Sequence, residues 1–277
     1  MKKGTLNANG LQIAYCIWHP EKEPTIFFIH GNSSSSNNWR KQVESDLFTD
    51  YRLITIDLPN HGNSATLNEN ADFSLPGIAK IMAAAALQLV NNAPYIICSV
   101  SLGTNIVAEM LNCDIKPVGL IMAGPCIVGE GFGMEKLLLP GADPSAVFAE
   151  NVPHESVVKY AGETSISSDV NDITYFLKDY YSVQGNFRSA LYATIAAGNY
   201  NDEVAILQRA TCPVCIVFGE AEKVVNTSYL DDAPINVWNN KVYKIAGASH
   251  LVNIDAPMAF NELLAAFAKD IFTINVA

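Results

Sequence analysis

Short apolar runs recur along the chain, each closed by a turn-forming residue. Residues 25–29 run apolar up to His30-Gly31, residues 52–56 up to Asp57-Leu58-Pro59, and residues 95–100 up to Ser101. Continuous runs of this length suit strands buried on both faces of a sheet. Residues 11–18 alternate well enough for an earlier strand, and residues 118–123, 214–218 and 242–245 read as further strands. Helical spacing appears between them, at residues 76–90, 102–111 and 257 to about 270, with a short helix at 39–47. Strand and helix in alternation predict an α/β fold with a doubly wound, mostly parallel sheet flanked by helices.

The alternation fails between Gly124 and about Gln208. That stretch offers helical pieces at residues 146–161 and 172–181 and few good strands. It is dense in aromatic side chains: Phe132, Phe148, Tyr160, Tyr175, Phe176, Tyr180, Tyr181, Phe187 and Tyr192. The expectation is a helical lid inserted into the sheet domain, with residues 1–124 and 209–277 forming the core and 125–208 the lid.

Bulk composition narrows the class. With 277 residues, 49% hydrophobic and 16% charged, the chain can bury a large core as one domain with an insertion or as two domains. A formal charge of −11, with no run of Lys and Arg to offset it, disfavours nucleic acid and anionic membranes as partners. A neutral or weakly polar small molecule fits that surface. The apolar stretch at 78–90 is broken by Lys80 and Gln88 and is too short to span a bilayer. Met1-Lys2-Lys3 leads into polar residues rather than the apolar segment of a signal peptide, so the expected location is the cytoplasm. The six cysteines read as small hydrophobes, and Cys212-Pro-Val-Cys215 enters a strand rather than opening a helix, so it reads as structural. Five histidines with no H-x-H pair give no visible metal cluster, and no cofactor is expected.

The chemistry concentrates at four turns. In Ser99-Val-Ser101-Leu-Gly103, a serine stands between an apolar strand and an amphipathic helix. Such a turn exposes the hydroxyl in a strained backbone and requires small residues two before and two after. Ser99 is a rival nucleophile, but its own flanks are larger, so Ser101 is preferred. The helix starting at Leu102 points its positive end at the reaction centre. An attacking serine also needs donors for the developing oxyanion, worth about 3 kcal/mol each. The backbone N–H of Leu102 is one, and that of Asn32, in His30-Gly31-Asn32, is the second; the Asn32 side-chain amide is also a candidate substrate contact. His30 and His61 read as props of their turns. His250, in Gly247-Ala-Ser-His250, follows the last strand and can act as general base. Its acid partner is expected at Glu222, with Glu220 in reserve, and the order Ser, Glu, His is that of one hydrolase class.

On these motifs the chain resembles the α/β-hydrolase superfamily over essentially its whole length. Within it, His30-Gly-Asn-Ser-Ser-Ser, the glutamate at 222, the segment from Gly124-Pro-Cys-Ile-Val to Gly131-Phe and the placement of Tyr160 look like the metal-independent N-acyl-homoserine lactonases. Ser99 and Asn60 stand where that group usually has glycine. The resemblance implies a substrate contact for Tyr160, for which lid packing is the competing reading. It also implies an ester or lactone substrate with an apolar acyl group. A carboxylesterase, a carbon–carbon hydrolase, an acyltransferase or a non-catalytic ligand-binding receptor could carry the same triad. Haloalkane dehalogenation would need a carboxylate where Ser101 stands.

Overall fold

Strands β3 (Thr25–Ile29), β4 (Arg52–Ile56), β5 (Tyr95–Val100), β6 (Gly119–Ala123) and β7 (Val214–Gly219) are buried at every position. This is what their unbroken apolar runs require of a sheet covered on both faces. In the computed structural model, which describes residues 1–276, they form the middle of one eight-stranded sheet in the order β1-β2-β4-β3-β5-β6-β7-β8. β1 (Lys2–Ala8) and β2 (Leu11–Trp18) add the antiparallel edge, and β8 (Tyr243–Ile245) closes the other side in parallel. β1 has no counterpart among the expected strands. Its sequence KKGTLNA is mostly exposed, so it carries little apolar signal.

The helices are α1 (Arg40–Val43), α2 (Leu75–Leu89), α3 (Leu102–Met110), α4 (Met134–Leu137), α5 (Ser145–Phe148), α6 (His154–Thr164), α7 (Val170–Ser182), α8 (Phe187–Ala196), α9 (Glu203–Gln208), α10 (Val252–Asp255) and α11 (Pro257–Val276). Ile78, Met82 and Ile106 from α2 and α3 pack on one face of the sheet with Phe27 and Ile97. Val43, Phe260, Leu264 and Phe267 from α1 and α11 pack on the other with Phe28 and Ile96. Alternate residues of each strand thus feed two apolar layers.

Between β6 and β7 the chain forms α4 to α9 and no named strand among the described residues. The helix expected over residues 146–161 is in fact two, α5 and α6. Asn151 takes a left-handed backbone (φ 55°) and Pro153 caps the second helix, so the first cannot run on. The last helix, α9, packs against α3 beside the sheet. Polar contacts tie the rest of the insertion to the loop after β3. Asp179 accepts from Ser35 Oγ at 2.7 Å, Arg188 Nε donates to Ser33 Oγ at 2.8 Å, and Asp172 pairs with both Arg40 and Lys41.

Register decides where the chemistry collects. Ile29 lies opposite Ser99, Val100 opposite Ala123, Ala123 opposite Val217, and Gly219 opposite Ile245. The turns after β3, β5, β7 and β8 therefore leave the same edge. Strand order reverses between β3 and β5, since the chain goes out to β4 and returns across β3. In open α/β sheets ligands bind beside such a switch point, at the carboxyl ends of the strands.

Trp39 anchors the first of these turns to the core. It is fully buried, with its ring 5.0 Å from Phe28 and 6.3 Å from Phe260, and its Nε1 has no hydrogen-bond partner. Trp39→Ala should lower the unfolding free energy by about 3–5 kcal/mol in urea titration. Trp39→Phe should cost less than about 1.5 kcal/mol, because it keeps ring contacts and removes an orphaned donor.

Candidate active site

Ser101 joins β5 to α3 with φ 54° and ψ −129°, a conformation L-residues avoid. Its N–H donates to the Ala123 carbonyl at 3.0 Å, which fastens the turn to β6. The turn survives only because two neighbours lack side chains. A Cβ on Gly103 would stand 2.6 Å from the His30 carbonyl oxygen, and one on Gly31 would stand 2.9 Å from the Cβ of Ser101. Ser99, by contrast, is buried in β5 and its Oγ donates to the Ile121 carbonyl at 3.2 Å. It does not reach the cavity, so of the two serines only Ser101 does.

The loop after β3 is held by two neutral histidines. Nε2 of His30 accepts from the Leu58 N–H at 3.0 Å, which leaves Nδ1 to donate to the Gly31 carbonyl at 2.7 Å. Nε2 of His61 accepts from the Ser33 N–H at 3.0 Å, and Nδ1 donates to the Pro59 carbonyl. Burial lowers both pKa values, that of His61 to about 3, so neither ring charges near neutrality. These are props, as their turns suggest. The loop so held leaves the Asn32 N–H without a protein acceptor, and the Leu102 N–H at the start of α3 is also free. The Asn32 side chain is engaged elsewhere: its Nδ2 donates to the Val147 carbonyl of α5 at 2.7 Å.

Across the same edge, His250 Nδ1 and Glu222 Oε2 are 2.9 Å apart, both side chains almost wholly buried. The other oxygen, Oε1, accepts from the N–H groups of Lys223, Val224 and Val225. Burial would raise the Glu222 pKa, but the His250 charge and these donors outweigh it and hold it below its ordinary value. For His250, burial would lower the pKa, yet Glu222 opposite and the Cys126 thiol beside the ring raise it well above 6.5. Glu220 is exposed, and only Glu222 touches the imidazole.

Ser101, Leu102, Asn32, His250 and Tyr160 line one cavity of about 800 Å³, counting its open mouth. No hydrogen bond joins the Ser101 hydroxyl to the imidazole. Most of the remaining wall is apolar, with Leu137, Val147, Phe148 and Ile195 from the insertion and Val224 and Val225 from the loop after β7. Tyr160, on α6, is buried and its ring lies 6.3 Å from Phe176. Its hydroxyl makes no protein hydrogen bond although it is not sealed off, so it faces the cavity. No group of three or more His, Cys, Asp or Glu able to hold a metal ion occurs among the described residues.

Among the lining residues with polar groups, Asn105, Cys126 and Tyr200 were not anticipated. The helical period was a usable signal for Asn105, since position i+4 from Ser101 lies on the same face of α3. For Cys126 no sequence signal separated it from the other cysteines.

A family model described as the alpha/beta hydrolase fold matches residues 24–112, from β3 through α3. The chain has the alpha/beta hydrolase fold. A non-heme chloroperoxidase from Burkholderia pyrrocinia is 25% identical, over 93% of this chain and 96% of that protein. Among solved structures, the N-acyl homoserine lactonase AidH complexed with N-butanoyl homoserine superposes with a TM-score of 0.86 at 25% identity, covering 98% of this chain and 97% of that one. The esterase RhEst1 from Rhodococcus sp. ECU1013 superposes with a TM-score of 0.81 at 20% identity, covering 98% of each chain. No helix among the described residues is long and apolar enough to cross a membrane. The relatives and neighbours support hydrolytic activity on a small molecule.

The raised His250 pKa predicts a pH dependence for any reaction in which this imidazole acts as base. A general base must be neutral, so its contribution is present above its pKa and is lost as pH falls through it. With Glu222→Gln the carboxylate that holds the pKa up is gone. The acid limb of kcat/KM should move to lower pH, and its plateau should drop on the order of 10³–10⁴-fold. Stopped-flow or steady-state profiles between pH 5 and 10 check both the shift and the drop.

Proposed function

We propose that the chain is a serine hydrolase that cleaves carboxylic esters and lactones through an acyl-enzyme, with N-acyl homoserine lactones as its substrate class. The observation that carries this reading is the convergence of a strained Ser101, two unpartnered backbone N–H groups and the buried His250–Glu222 pair on one apolar cavity.

In the first step Ser101 Oγ bonds to the ring carbonyl carbon while His250 Nε2 takes the hydroxyl proton. The carbonyl oxygen becomes an oxyanion, held by the N–H groups of Asn32 and Leu102. Glu222 stabilises the resulting imidazolium. As the tetrahedral centre collapses, the ring C–O bond breaks and His250 returns the proton to the departing oxygen, which stays tethered to the acyl group. Water then attacks the acyl carbon with His250 as base. The Ser101–acyl bond breaks as His250 returns the proton to Ser101 Oγ, and the opened hydroxy acid leaves.

The apolar wall suits an acyl chain, and residues 125–208 act as the lid over it. Tyr160 donates its hydroxyl hydrogen to substrate. No metal or cofactor takes part in these steps. A cytoplasmic setting, in which the six free cysteines stay reduced, belongs to the same reading. A carboxylesterase acting on open-chain esters is the second reading, favoured by the esterase neighbour.

Proton release during ring-opening of N-hexanoyl homoserine lactone, beside a panel of p-nitrophenyl esters, separates the two. The lactone should be opened with the higher kcat/KM. Ser101→Ala should lose about 10⁴-fold or more on every substrate; activity that survived this substitution would discard the mechanism.

A further inference from the structure

One helical turn beyond Ser101, Asn105 turns its side chain to the cavity wall. Its Nδ2 is committed twice, to the Cys126 carbonyl at 2.7 Å and to Glu203 Oε2 at 2.7 Å. A carbonyl can only accept, so these contacts fix which end of the amide is nitrogen. Glu203 is fully buried on α9, and its Oε2 also accepts from the Val128 N–H at 2.8 Å. Burial, with Glu109 and Asp202 nearby, pushes its pKa up to about 8, so a neutral acid stands behind Asn105 near neutral pH. It brings no charge to the wall.

The remaining atom is the one that matters. Asn105 Oδ1 has no protein partner, and it is not among the sealed, unpaired polar atoms of the interior. It therefore opens on the cavity as an acceptor, beside Ser101 and Leu102. The Tyr160 hydroxyl faces the same space as a donor. Away from Ser101 and His250 the wall is mostly apolar, and an acceptor and a donor set into it match the two ends of a secondary amide.

We infer that Asn105 is a specificity-determining residue whose Oδ1 accepts a hydrogen bond from a substrate N–H next to the scissile carbonyl. The favoured substrates are lactones and esters with a secondary amide on the α-carbon. This rests on the hydrolase reading given above. A substrate without the donor would strip water from Oδ1 and leave it unpaired, which is how polar sites reject apolar analogues. A substrate with the donor replaces that water.

The test compares two lactones of equal chain length, N-hexanoyl homoserine lactone and its analogue with a methylene in place of the amide N–H. Wild type should favour the N–H lactone by about tenfold to a hundredfold in kcat/KM. A ratio within twofold of one would overturn the inference while leaving the hydrolase reading intact. If neither lactone nor any p-nitrophenyl ester were cleaved, the hydrolase reading itself would fall, and this inference with it. In Asn105→Leu the ratio should fall to within twofold of one; persistence of the wild-type ratio would assign the discrimination to another group. Should the Leu variant fail to fold, because Glu203 and the Cys126 carbonyl lose their donor, the wild-type ratio decides alone.

Discussion

The site depends on a close approach of two backbone segments. The ends of β3 and β5 run side by side, and the turn at Ser101 presses against the loop after Ile29 with no side chain between them. Gly31 and Gly103 make that approach possible, and the approach in turn holds Ser101 in its strained conformation. A residue at φ 54° persists only where its surroundings over-determine it. Here they do so through the Ala123 carbonyl on one side and the His30 to Asn32 loop on the other. The same contact that stores the strain brings the Asn32 and Leu102 N–H groups to the hydroxyl.

Three buried histidines in one fold behave in two ways, and their partners account for it. His30 and His61 each have a ring nitrogen that accepts from a backbone N–H, which only a neutral ring can do. Burial then lowers their pKa values further, and protonation would break the loop. His250 is no less buried, but it faces Glu222, whose second oxygen is saturated by three backbone donors and cannot drift away. One pair is built to stay uncharged and the other to accept a proton. The two lie on the same sheet edge without conflict because hydrogen bonds, not depth, decide.

Much of this was legible in the sequence. The buried strands announce themselves as unbroken apolar runs, and Thr25–Ile29, Arg52–Ile56 and Tyr95–Val100 begin and end where those runs do. Parallel pairing then leaves the turns after them little choice but one edge. The legibility fails where the signal is not apolar. Lys2–Ala8 is a strand because β2 pairs with it, not because its residues prefer to be buried. The break at Asn151–Pro153 was present in the letters, but the apolar spacing on either side hid it. Glu203 opens α9, a common place for a carboxylate, and nothing in the sequence sets it apart. Only the fold shows it fully buried, with Asn105 in front of it.

The insertion and the loop after β3 are one mechanical unit. Asn32 holds the Val147 carbonyl, Ser33 holds Arg188, Ser35 holds Asp179, and Arg40 and Lys41 hold Asp172. Each neutral bond is worth only about 0.5–1.5 kcal/mol net, and those to charged groups about 1.5–3 kcal/mol. Together they exceed what thermal motion breaks at once, so the helices above the cavity cannot shift far without pulling on the loop that offers the Asn32 N–H. The packing of the insertion and the position of the unpartnered Asn32 N–H are therefore set by the same short segment, residues 32–41. A change in how the insertion packs is a change in the geometry around Ser101.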